Sequence, residues 1–309
     1  MPIEVATRIE PCDQEAFHGL DRRIMREVFD IHNEFGRLLD EDLYKYELAA
    51  RCAAIGILPA EREVQIRVTH QTFLKDYFMD LLFCHGFMLE GKAAERLVAT
   101  HRAQSLNYLL LAGLRHGCLV NFRTERVQRE FVSTTLSLEE RRRIRVEEAD
   151  WVEMNAESRQ LKNKAIEILA DWGAFLDVNL YREALVHFAG GSLKVCQAVE
   201  VFSGPRQLGA QNLNLLNEST GFAVTAKAQG AGAMRDHLER LLHHTRLKVV
   251  QWINLNRHVV EFTTLSKRGT DRIMRGQNHD SGADPGSGLR TARDVKSSAV
   301  SYANDSVPP

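Results

Sequence analysis

The chain repeats itself, and that limits its fold more than any other feature. Leu39-Asp40-Glu41-Asp42-Leu43-Tyr44 is echoed by Leu176-Asp177-Val178-Asn179-Leu180-Tyr181, and Asp80-Leu81-Leu82 by Asn214-Leu215-Leu216. Gly86-Phe87 matches Gly221-Phe222, Lys92-Ala93 matches Lys227-Ala228, and Val120-Asn121 matches Ile253-Asn254. Glu130-Phe131 and Thr134-Thr135-Leu136-Ser137 match Glu261-Phe262 and Thr263-Thr264-Leu265-Ser266. The offset drifts from 137 to 133 to 129 residues, as loop insertions and deletions between two copies of one domain produce. A collinear series favours duplication over an unrelated second α/β domain with chance echoes, and implies two lobes packed as an intramolecular pseudo-dimer.

The 309 residues give room for two domains with a core each. A content of 44% hydrophobic and 26% charged residues is that of a globular protein. Forty basic against forty-one acidic residues leave a net charge of −1, so a nucleic-acid binder needs a local basic patch, not a global field. The five cysteines are scattered with no C-x-x-C, which argues against a zinc knuckle or a disulfide framework and fits a reducing cytosol. The first residues lack a basic segment followed by an apolar one, and no apolar run reaches membrane-span length. A cytoplasmic location and no membrane partner are expected.

Apolar residues from Ile24 to Leu48 recur at three- and four-residue steps, predicting one helix over about Leu20 to Ala54, closed by Gly56 and Pro59. Strands are predicted at Val64–Val68, Phe73–Phe83 and Phe87–Lys92 with a turn at His85-Gly86. A helix from Val98 to Leu114 and a buried strand at Cys118–Phe122 follow, giving an α/β layered domain over residues 1–137. Residues 138–169 read as a helical linker whose run Arg141-Arg142-Arg143-Ile144-Arg145 forms a solvated face. Residues 170–272 form the repeat. Residues 273–309, rich in Gly, Ser, Asp and Asn, are expected to be a disordered tail.

Glu90 and Lys92, two apart on a predicted strand, leave the same face, and the hairpin before them brings Asp80 toward Glu90. Converging carboxylates make a hard oxygen site for Mg²⁺, with Mn²⁺ as a substitute, rather than for zinc. Glu41 supplies a third carboxylate from the first helix. A lysine beside such a site orients a water and stabilises charge building on phosphorus. Gln104 and Tyr108, four apart on the next helix, share a face suited to a phosphate or an extruded base. Alone, Asp-x9-Glu-x-Lys is weak, and a surface hairpin with ordinary charges is the blander reading. The joint loss of these groups in the second half argues that they form a unit: Glu41 stands opposite Val178, Asp80 opposite Asn214, Glu90 opposite Thr225, Gln104 opposite His237 and Tyr108 opposite Leu241.

With these residues in place, His32 to Phe122 resembles the GxxExxY family of small bacterial proteins, assigned to the PD-(D/E)XK nuclease superfamily. The resemblance rests on Glu41-x-x-Tyr44, Asp80-Leu81-Leu82, Glu90-x-Lys92, Gln104-Ser105-Leu106-Asn107-Tyr108-Leu109, Gly113-Leu114-Arg115 and Val120-Asn121-Phe122. It implies a restriction-endonuclease-like core, a mixed central sheet flanked by helices, duplicated with an equipped first copy and a degenerate second. It also implies Glu41, Asp80 and Glu90 as Mg²⁺ ligands and Lys92 as the group that positions or deprotonates the attacking water. Gln104 and Tyr108 resemble the Gln-x-x-x-Tyr of recombination-type nucleases. The chain departs from the family at Leu38, where the signature has glycine, at Met79 before Asp80, where it has proline, and at Gly91, where it has an apolar residue. The expected function is Mg²⁺-dependent hydrolysis of nucleic acid, DNA foremost. The alternatives are a nuclease-derived scaffold that grips nucleic acid or protein without cutting, and an interaction protein with no nucleic-acid partner.

Overall fold

The computed structural model describes residues 2–267, and the expected tail at 273–309 lies outside them. The elements are β1 (Ile3–Val5), α1 (Gln14–Phe35), α2 (Glu41–Ala54), β2 (Ala60–His70), β3 (Phe73–Phe83), β4 (Phe87–Lys92), α3 (Ala99–Ala112), β5 (His116–Asn121) and β6 (Gln128–Ser133). Then come α4 (Leu138–Arg142), β7 (Arg145–Asp150), α5 (Ala156–Trp172), α6 (Val178–Phe188), α7 (Ser192–Val195), β8 (Cys196–Ser203), β9 (Arg206–Asn217), β10 (Thr220–Thr225), α8 (Ala231–His243), β11 (Val249–Asn256) and β12 (Val259–Ser266).

They build two six-stranded mixed sheets, ordered β1-β2-β3-β4-β5-β6 and β7-β12-β11-β10-β9-β8. Without the edge strands β1 and β7 the two have one plan. Each runs antiparallel, antiparallel, parallel, antiparallel in chain order. A helix, α3 or α8, crosses between the parallel pair. This is a mixed α/β architecture of the restriction-endonuclease-like kind.

The single first helix predicted over Leu20–Ala54 is two helices. Gly36 ends α1 at φ 70°, a conformation glycine adopts without a Cβ penalty, and its N–H returns to the His32 carbonyl. Tyr44 then locks the corner: its hydroxyl donates to Gly36 O at 2.7 Å and accepts the Leu39 N–H at 3.1 Å. The second half repeats the device. Gly173 ends α5 at φ 74°, and the Tyr181 hydroxyl donates to Gly173 O at 2.6 Å and accepts the Leu176 N–H at 3.3 Å.

A second shared device corrects the register of the repeat. Asn121 clamps Ala94, accepting its N–H at 3.1 Å and donating to its carbonyl at 2.8 Å, and donates to Gln128. Asn254 does the same to Lys227, at 2.9 and 3.0 Å, and donates to Glu261. Lys92 pairs with Asn121 and Thr225 with Asn254, so Lys92 is opposite Thr225 and not Lys227, and Glu90 is opposite Ala223 and not Thr225. By the β3–β4 and β9–β10 ladders Asp80 is opposite Leu213, not Asn214. The match of Glu130 with Glu261 also slips by two, since Asn121 pairs with Gln128 and Asn254 with Glu261. The offset therefore stays at 133 residues and does not drift to 129.

The helical reading of 138–169 is also corrected. Between α4 and α5 the chain forms β7, which pairs parallel with β12 as an edge strand of the second sheet. Arg141 is not on a solvated face either. It is 1% exposed, donating to Trp172 O at 2.9 Å and Leu110 O at 3.0 Å.

The layers stack head to tail. Helices α1 and α2 bury Phe17, Ile24, Val28, Tyr44 and Leu48 against Leu81, Phe83, Leu89 and Val120 on one face of the first sheet. The other face, with α3, shares one core with α5, α6 and the near face of the second sheet. Helix α8 covers the far face of the second sheet with Leu238 and Leu242. The contact between halves therefore joins unlike faces, a heterologous arrangement rather than a two-fold one. Trp172 Nε1 donates across it to Thr69 O at 2.9 Å, and Lys75 pairs with Glu183 at 2.6 Å.

Candidate active site

The site forms where β3 and β4 separate. Their pairing runs from Phe83↔Phe87 to Leu81↔Leu89, while β4 continues beside β5 to Lys92↔Asn121. In the opening, Asp80 Oδ2 accepts the Gly91 N–H at 2.9 Å. A carboxylate thus stands in for the missing ladder partner, satisfying a buried N–H and fixing its own direction.

Glu90 is 1% exposed. Its Oε1 accepts from Lys92 Nζ at 2.8 Å, and its Oε2 is buried with no hydrogen-bond partner. The Lys92 ammonium also lies 3.9 Å from Asp80 Oδ2 and 3.9 Å from Glu41 Oε1. Glu41, in the first turn of α2, is tied to the site by accepting the Ala93 N–H at 3.1 Å. Carboxylates from β3, β4 and α2 therefore surround one ammonium.

Burial first, and then the Asp80 charge, push the Glu90 pKa up to about 8 against the pull of Lys92. For Lys92, burial acts to lower the pKa, but the Glu90 charge and hydrogen bond, with Asp80 and Glu41, more than reverse it. A folded-state value above the unfolded value of about 4.3 means the folded chain binds more protons between those two pH values. The stability given by neutral Glu90 is full below the unfolded pKa and is lost as pH rises through 8. Glu90→Gln, which cannot ionise, should melt with the parent near pH 4 in chelator, and at pH 9 should melt several degrees above it. Equal melting temperatures at pH 9 would contradict the shift.

Gln104 and Tyr108 lie on α3 and bond to each other, Gln104 Nε2 donating to the tyrosine hydroxyl at 2.9 Å. Burial raises the Tyr108 pKa, Gln104 opposes this, and the charges of Glu90 and Asp80 add to it. His32 is held by Thr124 O at 3.0 Å, a structural role.

Sequence reasoning missed Lys45. Only 6% exposed, it reaches Asp42 at 2.8 Å, Asp80 Oδ1 at 3.0 Å, Glu63 at 3.1 Å and Glu41 at 3.7 Å. Its signal was the spacing of four from Glu41, which puts both on one helix face. Gly91 is where it fits: a Cβ there would meet Lys45 Cγ at 3.2 Å and Cδ at 3.6 Å. Gly91 stays in register with Val120.

Residues 18–133 match the PD-(D/E)XK nuclease superfamily. The match runs from His18 on α1 to Ser133 at the end of β6, so it spans the separation of β3 and β4 and every group just described. No curated protein matches the chain, and no solved structure does. Nucleases of this superfamily generally use divalent metals. Among the described residues no three Asp, Glu, His or Cys side chains stand close enough together to hold an ion as placed. The spacing explains this. Carboxylates here sit 2.8 to 3.9 Å from the two ammoniums, whereas Mg²⁺ takes oxygens at about 2.1 Å, so they must close inward around an ion. The donors are nonetheless of the right kind: carboxylate oxygens, with Glu90 Oε2 buried and unpartnered. No helix of the described residues is long and apolar enough to cross a membrane.

Proposed function

We propose that this protein is a metal-dependent nuclease hydrolysing phosphodiester bonds at the site between α2, β3 and β4. The observation that carries this reading is the position of Lys92, within 4 Å of the carboxylates of Glu41, Asp80 and Glu90. Carboxylates from three elements converge on one cation, beside a buried carboxylate oxygen with no partner.

Asp80 and Glu90, with Glu41, would hold the ion, Mg²⁺ or Mn²⁺. A bound divalent ion supplies Lewis-acid stabilisation of phosphoryl oxygens and a lowered pKa for water. The chain's own groups do the rest. With Glu90 among the groups that would hold the ion, the Lys92 ammonium would be free to orient the attacking water and to meet negative charge on phosphorus. Gln104 and Tyr108, bonded to each other on α3, would offer an amide and a hydroxyl to the substrate. Arg123 is exposed, and its Nε donates to Ala93 O at 3.3 Å, which places a guanidinium at the rim where a phosphate backbone would pass. A local rim of this kind answers the neutral net charge, and DNA is the substrate we expect.

The GxxExxY likeness, the division into 1–137, 138–169 and 170–272, the cytoplasmic location and the duplication belong to the same proposal. Support for duplication comes from the common strand plan and the two repeated clamps. The second copy is degenerate: with the register corrected, Glu41, Asp80, Glu90 and Lys92 stand opposite Val178, Leu213, Ala223 and Thr225. Thr225 accepts the Trp252 indole N–H at 2.9 Å, a structural use of the position.

The two lysines saturating the carboxylates also suit a second reading, a scaffold that binds without cutting. Hydrolysis separates the two. With Mn²⁺ or Mg²⁺, the parent should cut DNA in preference to RNA, and Asp80→Asn should lose at least a hundred-fold of that activity. Equal activity in parent and variant, or none in the parent with the ion bound, rejects the nuclease assignment.

A further inference from the structure

The amino-terminal site contains two ammoniums, and only one of them belongs to the Glu90-x-Lys92 strand. The other, Lys45, sits on α2 inside a cage of four carboxylates, those of Asp42, Asp80, Glu63 and Glu41, at 2.8, 3.0, 3.1 and 3.7 Å. Asp80 is shared between the two positions, Oδ1 facing Lys45 at 3.0 Å and Oδ2 lying 3.9 Å from Lys92. Glu41 Oε1 is shared likewise, 3.7 Å from Lys45 and 3.9 Å from Lys92. Two cation positions bridged by a common carboxylate are the arrangement a pair of divalent ions would adopt. Here one of the positions is filled by a side chain tethered to α2.

The backbone accommodates that side chain. A Cβ at position 91 would press on Lys45 Cγ at 3.2 Å, so with any larger residue there the stem would have to give by a few tenths of an ångström. Gly91 is also where the strand lacks the apolar residue its pattern calls for. The glycine and the buried lysine compensate one another. Such an ammonium would not survive burial unpaired, and its four acids are what keep it charged and in place.

We propose that Lys45 is a built-in counter-cation occupying the place of a second divalent ion, so that the site takes a single ion, on the Lys92 side of Asp80. This rests on the metal-dependent reading above. Lys45 acts as a positioning residue: it holds Asp80 with one oxygen turned toward the ion, and it offsets the acids of α2 and β2 that would otherwise draw a second ion.

Manganese binding by the full chain, followed by isothermal titration and by the electron paramagnetic resonance of the bound ion, tests this. The parent should bind one Mn²⁺. Lys45→Met should bind two, or one at least ten-fold more tightly, because Asp80 Oδ1, Asp42 and Glu63 are released. Lys45→Ala with Gly91→Val removes the stem and fills the space it leaves, and should keep the extra binding while melting above Lys45→Ala alone. It also supplies the reading if the single variant does not fold. A parent that binds two ions, or variants that bind one ion no more tightly than the parent, overturn the proposal. Absence of Mn²⁺ binding in every protein overturns it together with the metal-dependent reading. The expected stoichiometries with no hydrolysis of DNA or RNA by any variant would uphold the role of Lys45 and remove the nuclease assignment alone.

Discussion

Lys92→Met is expected to lower Mn²⁺-dependent hydrolysis by at least a hundred-fold while the protein binds Mn²⁺ at least as tightly as the parent. The two effects have opposite signs because the ammonium has two relations to the carboxylates. At rest it lies 2.8 Å from Glu90 Oε1 and 3.9 Å from both Asp80 and Glu41, so it competes with an ion for the same oxygens. Removing it deletes that competitor. In the proposed hydrolysis the same ammonium would orient a water and meet charge on phosphorus. Loss of one such donor costs about 10²–10³ in rate. Methionine keeps the length of the stem, which limits the change to the charge. Titration and single-turnover cleavage on the same preparation check both halves. A variant that cuts like the parent, or that loses its ion, contradicts the role given to Lys92.

The largest effect on stability is expected at Arg141, far from the chemistry. Its guanidinium is 1% exposed and reaches no carboxylate; it donates to Leu110 O near the end of α3 and to Trp172 O at the last residue of α5. Both are helix C-termini, where unpaired carbonyls and the macrodipole concentrate partial negative charge. Two such ends offset the buried cation, although burial still lowers its pKa. The position is hemmed in, since a Cβ on Gly173 would lie 2.7 Å from Arg141 Cβ. Arg141→Met leaves two buried carbonyls without donors, at about 1–3 kcal/mol each. A loss of roughly 3–5 kcal/mol and a fall of about 10 °C in Tm should follow, read by urea and thermal denaturation. A variant as stable as the parent would show that the helix ends are satisfied some other way.

How far these features were legible in the sequence depends on whether their cause is local. Asp80, Glu90 and Lys92 could be grouped from spacing because one hairpin and a period of two bring them together, and the structure does bring them together. Lys45 was not legible, since a helical pattern cannot distinguish a lysine inserted over a distant glycine from one in solvent. Its traces were the spacing of four from Glu41 and the anomaly at Gly91, whose cause lies on another element. Strand β7 was missed because Arg145–Asp150 has little apolar alternation: it is a polar edge strand, defined by pairing with β12. Arg141 was hidden among neighbours of its own kind, of which Arg143 pairs with Glu139 as expected of a surface helix. The register error had a different origin. Matching Lys92 to Lys227 followed letters, whereas the ladder follows the Asn clamps, and Asn121 to Gln128 repeats the seven-residue interval from Asn254 to Glu261.

The account stands on an ion held by Asp80 and Glu90. Crystals of the full chain soaked in Mn²⁺ and measured at an energy where manganese scatters anomalously test it most directly. One anomalous peak per chain, touching the carboxylates of Asp80 and Glu90 with Lys45 still against Asp80, is the predicted result. No peak at that place under saturating Mn²⁺, with Lys92 still paired to Glu90, would contradict it.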